Sequence, residues 1–398
     1  MSPYNQKQVI YLISSPLSLR DFKRYGVQNW IDHGWKVKVF DITRFLNPKF
    51  WSYVDGDKLN INFEGLTIFH NINEILSAIS NLQNKVVFLD YIGFSNTEIK
   101  IRKIASMHGI LIKSRNPGSA PQAKTKINFL NLFSLIIHPI NFVNKLTSFI
   151  KHKVEKIRSN KCLPDYLVVS GSKSMSGIND KKTSIIKAHN FDYDLFIEKK
   201  QIAPNKKSNS LVFLDEDGPY HSDYWHRKIK PFVTADKYYP VIDLGLDKIA
   251  DSLKLNIKIA AHPRSDYNVK KIRYKHPTIK NETFELIKDA DVIVGHGSIA
   301  LQLAVIMKKP IIFVTTDEIQ NASYAKSYAK HIDHYAKTLG KKVINLSNLS
   351  NLYNWRDYLN VDEEKYEKYI ETYIKTKGSP EKLISNIIIE YIEKDLLL

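Results

Sequence analysis

The sequence predicts an α/β protein made of two doubly wound domains in series. Short apolar runs alternate with helix-like stretches in both halves of the chain, and this alternation is typical of parallel sheets covered by helices on both faces. A polar stretch at 199–210, KKQIAPNKKSNS, separates the two series and has the composition of an exposed linker. The length of 398 residues also exceeds that of one ordinary domain.

The first half opens on an apolar run that predicts a buried strand, and further runs follow along the chain. These predicted strands cover 9–13, 36–40, 86–90, 110–113 and 166–170. Helical patterns lie between them at 19–33, where Gly34 ends the pattern, and at 97–107.

The second half repeats the pattern after the linker. Its predicted strands are 211–214, 257–261, 292–294, 311–314 and 343–346, and its predicted helices are 223–229, 244–253, 283–289, 299–307 and 323–339. Amphipathic helices from 363 to 397 end the chain. We therefore assign 1–200 to a first domain, 208–385 to a second domain and 386–398 to the end of a helix that returns to brace the first. Such a pair places its ligand cleft between the domains, at the carboxyl ends of the strands.

Composition narrows the class of protein. Hydrophobic residues make up 43% of the chain, which excludes a mainly disordered protein. A single cysteine, Cys162, excludes an internal disulfide framework and a cysteine-based zinc finger, and suits a reducing compartment. Lys and Arg number 59 against 41 Asp and Glu, a net charge of +18. This excess favours an anionic partner, although Lys is abundant throughout the chain.

The apolar stretch 129–149 is followed by a basic run that ends at 161. Polar residues within the stretch make it a poor membrane-spanning helix. Apolar residues beside lysines favour an interfacial anchor on anionic lipid, and an ordinary helical insertion packed on its own domain is the alternative. The apolar run 9–13 is too short for a signal-peptide core. No basic stripe interleaved with aromatic residues is visible, so we expect no nucleic-acid partner.

Two short motifs follow predicted strands of the second half. The first is an acidic turn ending in Glu216-Asp217-Gly218, where a carboxylate at the mouth of a cleft can take a proton from a hydroxyl. The alternative is an acidic turn that caps a helix. The second is His262-Pro263, where a histidine can donate to a phosphate or protonate a leaving group. The alternative is a histidine satisfied within its loop.

A third motif, Gly295-His-Gly297-Ser298, leads from a strand into a helix. Free backbone N–H groups at a helix start can bind an anion, and Ser298 can either cap the helix or contact a phosphate. The motif lacks the full dinucleotide fingerprint and the P-loop lysine, which argues against NAD enzymes and NTPases. Glu285, on the first turn of 283–289, can accept from the hydroxyls of a ribose or simply complement the helix dipole. No residue spacing indicates a metal site.

In this order the three motifs resemble those of the bacterial sialyltransferase group of glycosyltransferases, which have the GT-B fold: two Rossmann-like domains that face each other across a cleft. The segment 283–287 is similar to the one in which such enzymes hold the ribose of CMP. The stretch 260–316 also resembles capsule and lipopolysaccharide enzymes that transfer keto-sugar acids. The segment 183–194 resembles one in related surface-polysaccharide proteins, and we assign it no role.

The resemblance implies an inverting enzyme that moves a nonulosonic acid from its CMP-activated form to a hydroxyl of a glycan or lipid-linked glycan. Asp217 is then the general base, with Glu216 and Gly218 supporting it, and His262 stabilises or protonates the departing phosphate. Neither a cofactor nor a metal is expected. The N-terminal domain is expected to bind the acceptor and the C-terminal domain the donor. The implied location is the bacterial cytoplasm, with peripheral association to the inner membrane as an option.

The donor-binding residues implied by the resemblance are Pro263, Arg264, Glu285, Gly297 and Ser298. Among these, Glu285 would bind ribose, Gly297 and Ser298 the phosphate, and Arg264 the sugar carboxylate or the phosphate. A solvated surface position is the alternative for Arg264. The rival functions are transfer of Kdo or of a glycerol- or ribitol-phosphate unit, and a non-catalytic sugar-binding protein.

Overall fold

The computed structural model describes residues 7–84, 86–115, 121, 162–175, 178, 182–200, 208–221, 224, 229–263, 273–322, 326–349 and 354–396. Two parallel sheets organise these residues. The predicted α/β class with two Rossmann-like domains is confirmed.

The first sheet has seven strands in the order β3-β2-β1-β4-β5-β6-β7. Its strands are β1 (Gln8–Ile13), β2 (Lys36–Asp41), β3 (Leu66–Ile68), β4 (Val86–Tyr91), β5 (Gly109–Arg115), β6 (Tyr166–Ser170) and β7 (Ser184–Ala188). The helices in this half of the chain are α1 (Leu19–Arg24), α2 (Val27–Asp32), α3 (Thr43–Leu46), α4 (Pro48–Tyr53), α5 (Gly56–Leu59), α6 (Ile72–Ser80), α7 (Asn96–His108), α8 (Ser172–Met175) and α9 (Phe191–Lys199). Alternate residues of β1 enter separate apolar clusters on the two faces, as expected for a sheet covered on both sides.

The second sheet has six strands in the order β10-β9-β8-β11-β12-β13. Its strands are β8 (Ser210–Leu214), β9 (Asn256–Ala260), β10 (Thr278–Ile279), β11 (Val292–Gly295), β12 (Ile311–Thr315) and β13 (Val343–Asn345). Its helices are α10 (Ala235–Leu253), α11 (Thr283–Asp289), α12 (Leu301–Ile306), α13 (Asp317–Asn321), α14 (Lys326–Thr338) and α15 (Glu363–Tyr369). Every residue of β8 and β12 is buried, which explains why four of the five residues in each strand are apolar.

In both sheets the strand order reverses direction beside the first strand of the domain. The reversal falls between β1 and β4 in the first sheet and between β8 and β11 in the second. In an open parallel sheet a crevice forms outside the carboxyl ends of the strands at this point. The acidic turn after β8 and the glycine turn after β11 therefore lie side by side at the crevice of the second sheet, as their register places Gly295 opposite Leu214.

The chain returns to the first domain at its carboxyl end. After α15 a π-helical turn, Ile370–Ile374, leads to a segment that pairs with the residues following β7. The Thr376 N–H donates to the Ala188 carbonyl at 2.9 Å, and the Asn190 N–H donates to the Ile374 carbonyl at 2.8 Å. The last helix, α16 (Ile384–Leu396), then packs against α2 and β7. The predicted brace on the first domain is confirmed.

Several predicted helix boundaries are wrong. The predicted helix 19–33 is two helices, because Gly26 takes a left-handed φ of 65° between α1 and α2. The helix predicted at 244–253 begins nine residues earlier, at Ala235, and contains Pro240. The helices predicted between about 363 and 397 are present as Glu363–Tyr369 and Ile384–Leu396, with the π-helical turn Ile370–Ile374 after the first. The strand at Ser184–Ala188 and helix α9 were not predicted as elements.

Three predictions concern residues outside the described ones. These are the proposed membrane-associated insertion 129–161, most of the linker 199–210 and most of the helix 223–229. In the described part of the chain, no helix combines the length and the apolar character needed to cross a bilayer.

Candidate active site

A cavity of about 1210 Å³ lies between the carboxyl edges of the two sheets. Its N-terminal wall comes from the loop after β1, from α1 and from the residues around Asn60. Its C-terminal wall comes from the turns that follow β8, β9 and β11 and from the start of α11. Helix α9 joins the two walls. The residues predicted from the second and third motifs and from 283–287 therefore converge on one space, with Pro263, His262, Glu285, Gly297 and Ser298 among its lining residues.

The three acids after β8 have different environments. The Asp215 carboxylate accepts a hydrogen bond from the Tyr274 hydroxyl at 2.7 Å and from the Asp217 N–H at 2.9 Å. Glu216 lines the cavity, and its Oε1 accepts from the Gly297 N–H at 2.8 Å. Its Oε2 accepts from the Tyr328 hydroxyl at 2.6 Å. Glu216 thus ties the acidic turn to the glycine turn.

Asp217, the predicted base, does not line the cavity, and the residue is only 3% exposed. Burial, and then the negative charge of Asp217, raise the pKa of Tyr53 on α4 of the first domain. The Asp217 carboxylate is therefore close enough to the first domain for its charge to act on Tyr53. Its role as a base stays a prediction.

In the turn after β8 the left-handed residue is Asp217 and not Gly218. Asp217 itself has a left-handed φ of 51°, a conformation that Asp and Asn tolerate better than most residues. A Cβ on Gly218 would lie 3.0 Å from the Tyr238 ring and 3.1 Å from the Val233 side chain. The glycine therefore leaves room for the close approach of Val233 and Tyr238, and it is not required by its own φ.

His262 follows β9 and lines the cavity in a partly exposed position. Its ring lies 4.8 Å, between centroids, from the ring of His221, which also lines the cavity. Sequence reasoning missed His221, although it lies only three residues after Gly218 in the same loop. Pro263 is exposed at the cavity edge, and Arg264 lies outside the described residues.

The glycine turn after β11 has little free space. A Cβ on Gly297 would lie 2.8 Å from Cδ2 of the His331 ring, and His331 also contacts the Pro121 carbonyl of the first domain at 2.8 Å. Helix α12 begins only at Leu301, so Ser298 is not its N-cap. The Ser298 hydroxyl instead accepts from the Ala300 N–H at 3.3 Å, because residues 298–300 form a turn before the helix.

His296, in the middle of this motif, is a structural histidine. It is 1% exposed, its Nδ1–H donates to the Val314 carbonyl at 2.7 Å, and its Nε2 accepts from the Tyr238 hydroxyl at 2.9 Å. Burial lowers the pKa of His296. A neutral His296 therefore links β11 to β12 and α10 and fixes the position of the turn.

Glu285 lies on the first turn of α11 and lines the cavity. Its carboxylate forms an ion pair with Lys199 at the end of α9. Burial raises the pKa of Glu285, but the hydrogen bond and charge of Lys199 more than offset this, so that the pKa lies below its usual range. Lys199 was not predicted, since 86 residues separate it from Glu285.

Among the described residues, no group of three or more His, Cys, Asp or Glu side chains is arranged to hold a metal ion. The cavity is lined by carboxylates, by two adjacent imidazoles, by a serine hydroxyl and by the backbone of a glycine turn. Such a set can move protons and bind an anionic group.

Comparison with known proteins finds similar solved structures but no matching sequence. No family model matches the chain, and neither does any curated protein sequence. The solved structure of the wall teichoic acid polymerase TagF aligns with 99% of this chain and 91% of its own, at 13% identity and a TM-score of 0.52. The calicheamicin glycosyltransferase CalG4 aligns over 98% and 99% of the two chains, at 10% identity and a TM-score of 0.52.

A UDP-N-acetylglucosamine 2-epimerase aligns over 99% of this chain and 97% of its own, at 9% identity and a TM-score of 0.52. At identities this low the likeness establishes the fold and not the reaction. The alignments cover both domains, the two sheets have Rossmann-like strand order, and the cleft lies between their carboxyl edges. The chain therefore has the GT-B fold.

Proposed function

We propose that the protein is an inverting glycosyltransferase that moves a nonulosonic acid of the sialic, pseudaminic or legionaminic type from its CMP-activated donor to a hydroxyl of a bacterial surface glycan. One observation carries the proposal: His262, Glu285 and Ser298, drawn from three separate segments of the second half, line one cavity between the domains of a GT-B fold. The motif resemblance supplies the donor class, and two of the structural neighbours are named as a polymerase of a surface polymer and a glycosyltransferase.

In the proposed reaction the acceptor hydroxyl attacks the anomeric carbon of the donor. A new C–O bond forms there while the C–O bond to the CMP phosphate breaks. Asp217 takes the proton of the attacking hydroxyl, and His262 donates to the departing phosphate. Because the transition state resembles an oxocarbenium ion, positioning and charge stabilisation supply most of the rate enhancement.

The donor is proposed to lie on the C-terminal wall. Glu285 would accept from the ribose hydroxyls, and the Ser298 hydroxyl and the backbone of the Gly297 turn would contact the phosphate. Glu285 forms an ion pair with Lys199, and this pair must break before the Glu285 carboxylate can bind the ribose as proposed. No metal and no cofactor enter the proposed reaction.

A second candidate follows from the position of the acids. Asp217 does not line the cavity, whereas His221 and His262 both do. A histidine base at this position would suit transfer of a glycerol- or ribitol-phosphate unit from a CDP-linked donor. Transfer of Kdo from its CMP-linked form is a closer variant of the main proposal.

The test is a donor panel with CMP release as the readout: CMP-sialic, CMP-pseudaminic, CMP-legionaminic and CMP-Kdo acids and CDP-glycerol, each with and without EDTA. The main proposal expects turnover of one of the first three and an unchanged rate in EDTA. Turnover of CDP-glycerol alone would establish the second candidate. Absence of any turnover, with no increase in melting temperature on adding CMP, would refute both.

Two variants test the assigned residues with the donor found active. Asp217→Asn should lower transfer by about 10² to 10⁴ and leave CMP affinity unchanged. His262→Ala should lower transfer and weaken CMP binding as well. Asp236→Asn, a change of the same chemistry at an exposed position on α10, is the matched control and should leave the rate unchanged. Near-normal transfer by Asp217→Asn would remove Asp217 from the mechanism.

A further inference from the structure

A histidine behind the glycine turn lies between the two domains. His331 is on α14, is partly buried and does not line the cavity. Its Nδ1 lies 2.8 Å from the carbonyl oxygen of Pro121 in the first domain, and its Nε2 lies 3.2 Å from the carbonyl oxygen of Gly297. One imidazole ring therefore contacts the first domain on one side and the turn after β11 on the other.

Both contacts of His331 require the ring to donate, because a carbonyl oxygen can only accept a hydrogen bond. A neutral imidazole has one N–H group and one lone pair, so it can donate to only one of the two oxygens and presents its lone pair to the other. An imidazolium ion has an N–H group on both nitrogens. The two contacts are therefore made together only by the protonated ring.

The turn leaves room for this ring at a glycine. A Cβ on Gly297 would lie 2.8 Å from Cδ2 and 2.9 Å from Nε2 of His331. Gly297 does not have a left-handed φ, so its own backbone conformation would accept a side chain. The close approach of His331 is therefore the reason that the turn needs a glycine at this position.

Charged groups of both signs lie around His331. Burial, and then the charge of His331, lower the pKa of His334, one turn further along α14. Lys173 of α8 in the first domain acts on His334 in the same direction, whereas Asp333 opposes it. The Glu216 carboxylate accepts from the N–H of the same glycine turn. His334 and Lys173 thus disfavour a proton on His331, while Asp333 and Glu216 favour one.

Two tyrosines of α14 also pack against the ring. The centroids of the Tyr328 and Tyr335 rings lie 6.2 and 6.1 Å from that of His331. Burial raises the pKa of both tyrosines far above its ordinary value. Both therefore stay neutral over the pH range in which a histidine changes its charge.

We propose that His331 is a positioning residue whose protonated form ties the glycine turn to the first domain, so that the turn is held more firmly as the pH falls. Loss of the proton leaves the ring with one N–H group, and one of the two contacts breaks. His331 takes no part in bond making or breaking. The turn contains Gly297 and Ser298, and only the link from this turn to the donor phosphate rests on the proposed function.

The experiment measures amide hydrogen exchange of the ligand-free, full-length protein at about pH 5.5 and about pH 8.5, on either side of the range in which a histidine ordinarily changes its charge. The readout is the protection of the amides of 297–303, relative to the intrinsic exchange rate of each sequence at that pH. His331→Gln is the test variant, because its side chain donates from one nitrogen only and does not titrate. The wild type should be about tenfold more protected than His331→Gln at the lower pH, as expected for one hydrogen bond from a charged group. The two proteins should be equally protected at the higher pH.

His334→Gln, the same substitution one turn along α14, is the matched control and should keep the pH dependence of the wild type. Gly297→Ala tests the other side of the contact and decides the question if His331→Gln does not fold. Its Cβ would displace the His331 ring, so the extra protection at low pH should be lost there too. The inference is overturned if the wild type and His331→Gln differ by the same factor at both pH values, which would indicate a neutral structural ring, or if they do not differ.

A second measurement separates this inference from the proposed function. If the turn holds the donor phosphate, the ratio of CMP affinities of the wild type and His331→Gln, measured by titration calorimetry, should rise at the lower pH. Titration of CMP itself and of the other histidines is common to both proteins and cancels in this ratio. Failure of the proposed function would remove CMP binding and leave the exchange result intact. Failure of the His331 proposal would remove the pH-dependent difference in exchange and leave CMP binding intact.

Discussion

Tyr328→Phe tests whether the link between the acidic turn and the glycine turn supports the site. The substitution removes the hydroxyl that donates to Glu216 Oε2 at 2.6 Å. It keeps the aromatic ring, which stacks on Phe232 with centroids 5.2 Å apart. Burial, together with the negative charge of Glu216, raises the pKa of Tyr328 well above its usual value, so the hydroxyl stays protonated at every working pH.

The expected magnitude follows from these contacts. A hydrogen bond to a charged group contributes about 1.5–3 kcal/mol. Glu216 keeps its second hydrogen bond, from the Gly297 N–H at 2.8 Å, and it lines an open cavity where water can replace the lost hydroxyl. We therefore expect the free energy of unfolding to fall by about 1.5 kcal/mol, the lower end of this range. Such a loss corresponds to a decrease of about 3–6 °C in the melting temperature of a domain of this size.

The assay is differential scanning calorimetry of wild type, Tyr328→Phe and Tyr391→Phe, each with and without CMP. Tyr391 lies on α16, is 41% exposed and provides the same loss of a hydroxyl away from the site. CMP should raise the melting temperature of Tyr328→Phe less than that of the wild type, because the turn that carries Ser298 is less firmly held. An unchanged melting temperature in Tyr328→Phe, or an equal decrease in both variants, would refute this reasoning.

Three further predictions concern groups around the site and in the first domain. Burial raises the pKa of Asp41 from its ordinary value of 3.8 to about 6, so the folded state holds the proton more tightly than the unfolded state does. Stability should therefore fall by about 3 kcal/mol as the pH rises from about 4 to 6 and then level off. The melting temperature of the wild type minus that of Asp41→Asn, measured from pH 4 to 7, should show this fall, and a constant difference would contradict it. Arg102→Met should lower the free energy of unfolding by about 3–5 kcal/mol, because the fully buried Asp90 carboxylate keeps only one cation, Lys113, at 3.0 Å. A decrease below about 1 kcal/mol by calorimetry would contradict this prediction. Lys199→Met should raise the affinity for CMP up to about fivefold, because it frees Glu285 from an ion pair that contributes at most about 1 kcal/mol when partly exposed. Titration calorimetry measures this affinity, and weaker CMP binding would show instead that Lys199 itself holds the nucleotide.

Strands were more predictable than helix boundaries. The apolar run at 311–314 could be placed without a structure, since a strand buried on both faces has an unbroken apolar sequence. The helix α10 could not be bounded, because Pro240 lies inside it and its first turns are held by packing of Tyr238 and Tyr239 in the core. In α10, packing in the core outweighs the low propensity of proline for a helix interior.

In the candidate site, too, some residues could be predicted from the sequence and others could not. Strand ends could be located from the sequence, so His262 and Ser298 were predicted and both line the cavity. The sequence could not tell which acid of the triplet faces the cavity, because adjacent residues in a turn point in different directions. Asp215 and Glu216 line the cavity and Asp217 does not. His221 and Lys199 were missed because no periodic pattern marks a loop residue or a partner from another domain.

By itself the sequence determined the two parallel sheets, the order of the motifs along the chain and the edge of the second sheet to which they belong. These follow from local patterns, since apolar runs and turn residues act over a few neighbouring positions. Only the tertiary structure decided which residues of the two domains meet: Lys199 with Glu285, and His331 with the Pro121 carbonyl. Those contacts join residues 86 and 210 positions apart in the chain. Their formation depends on how the two domains pack together, which no local pattern in the sequence encodes.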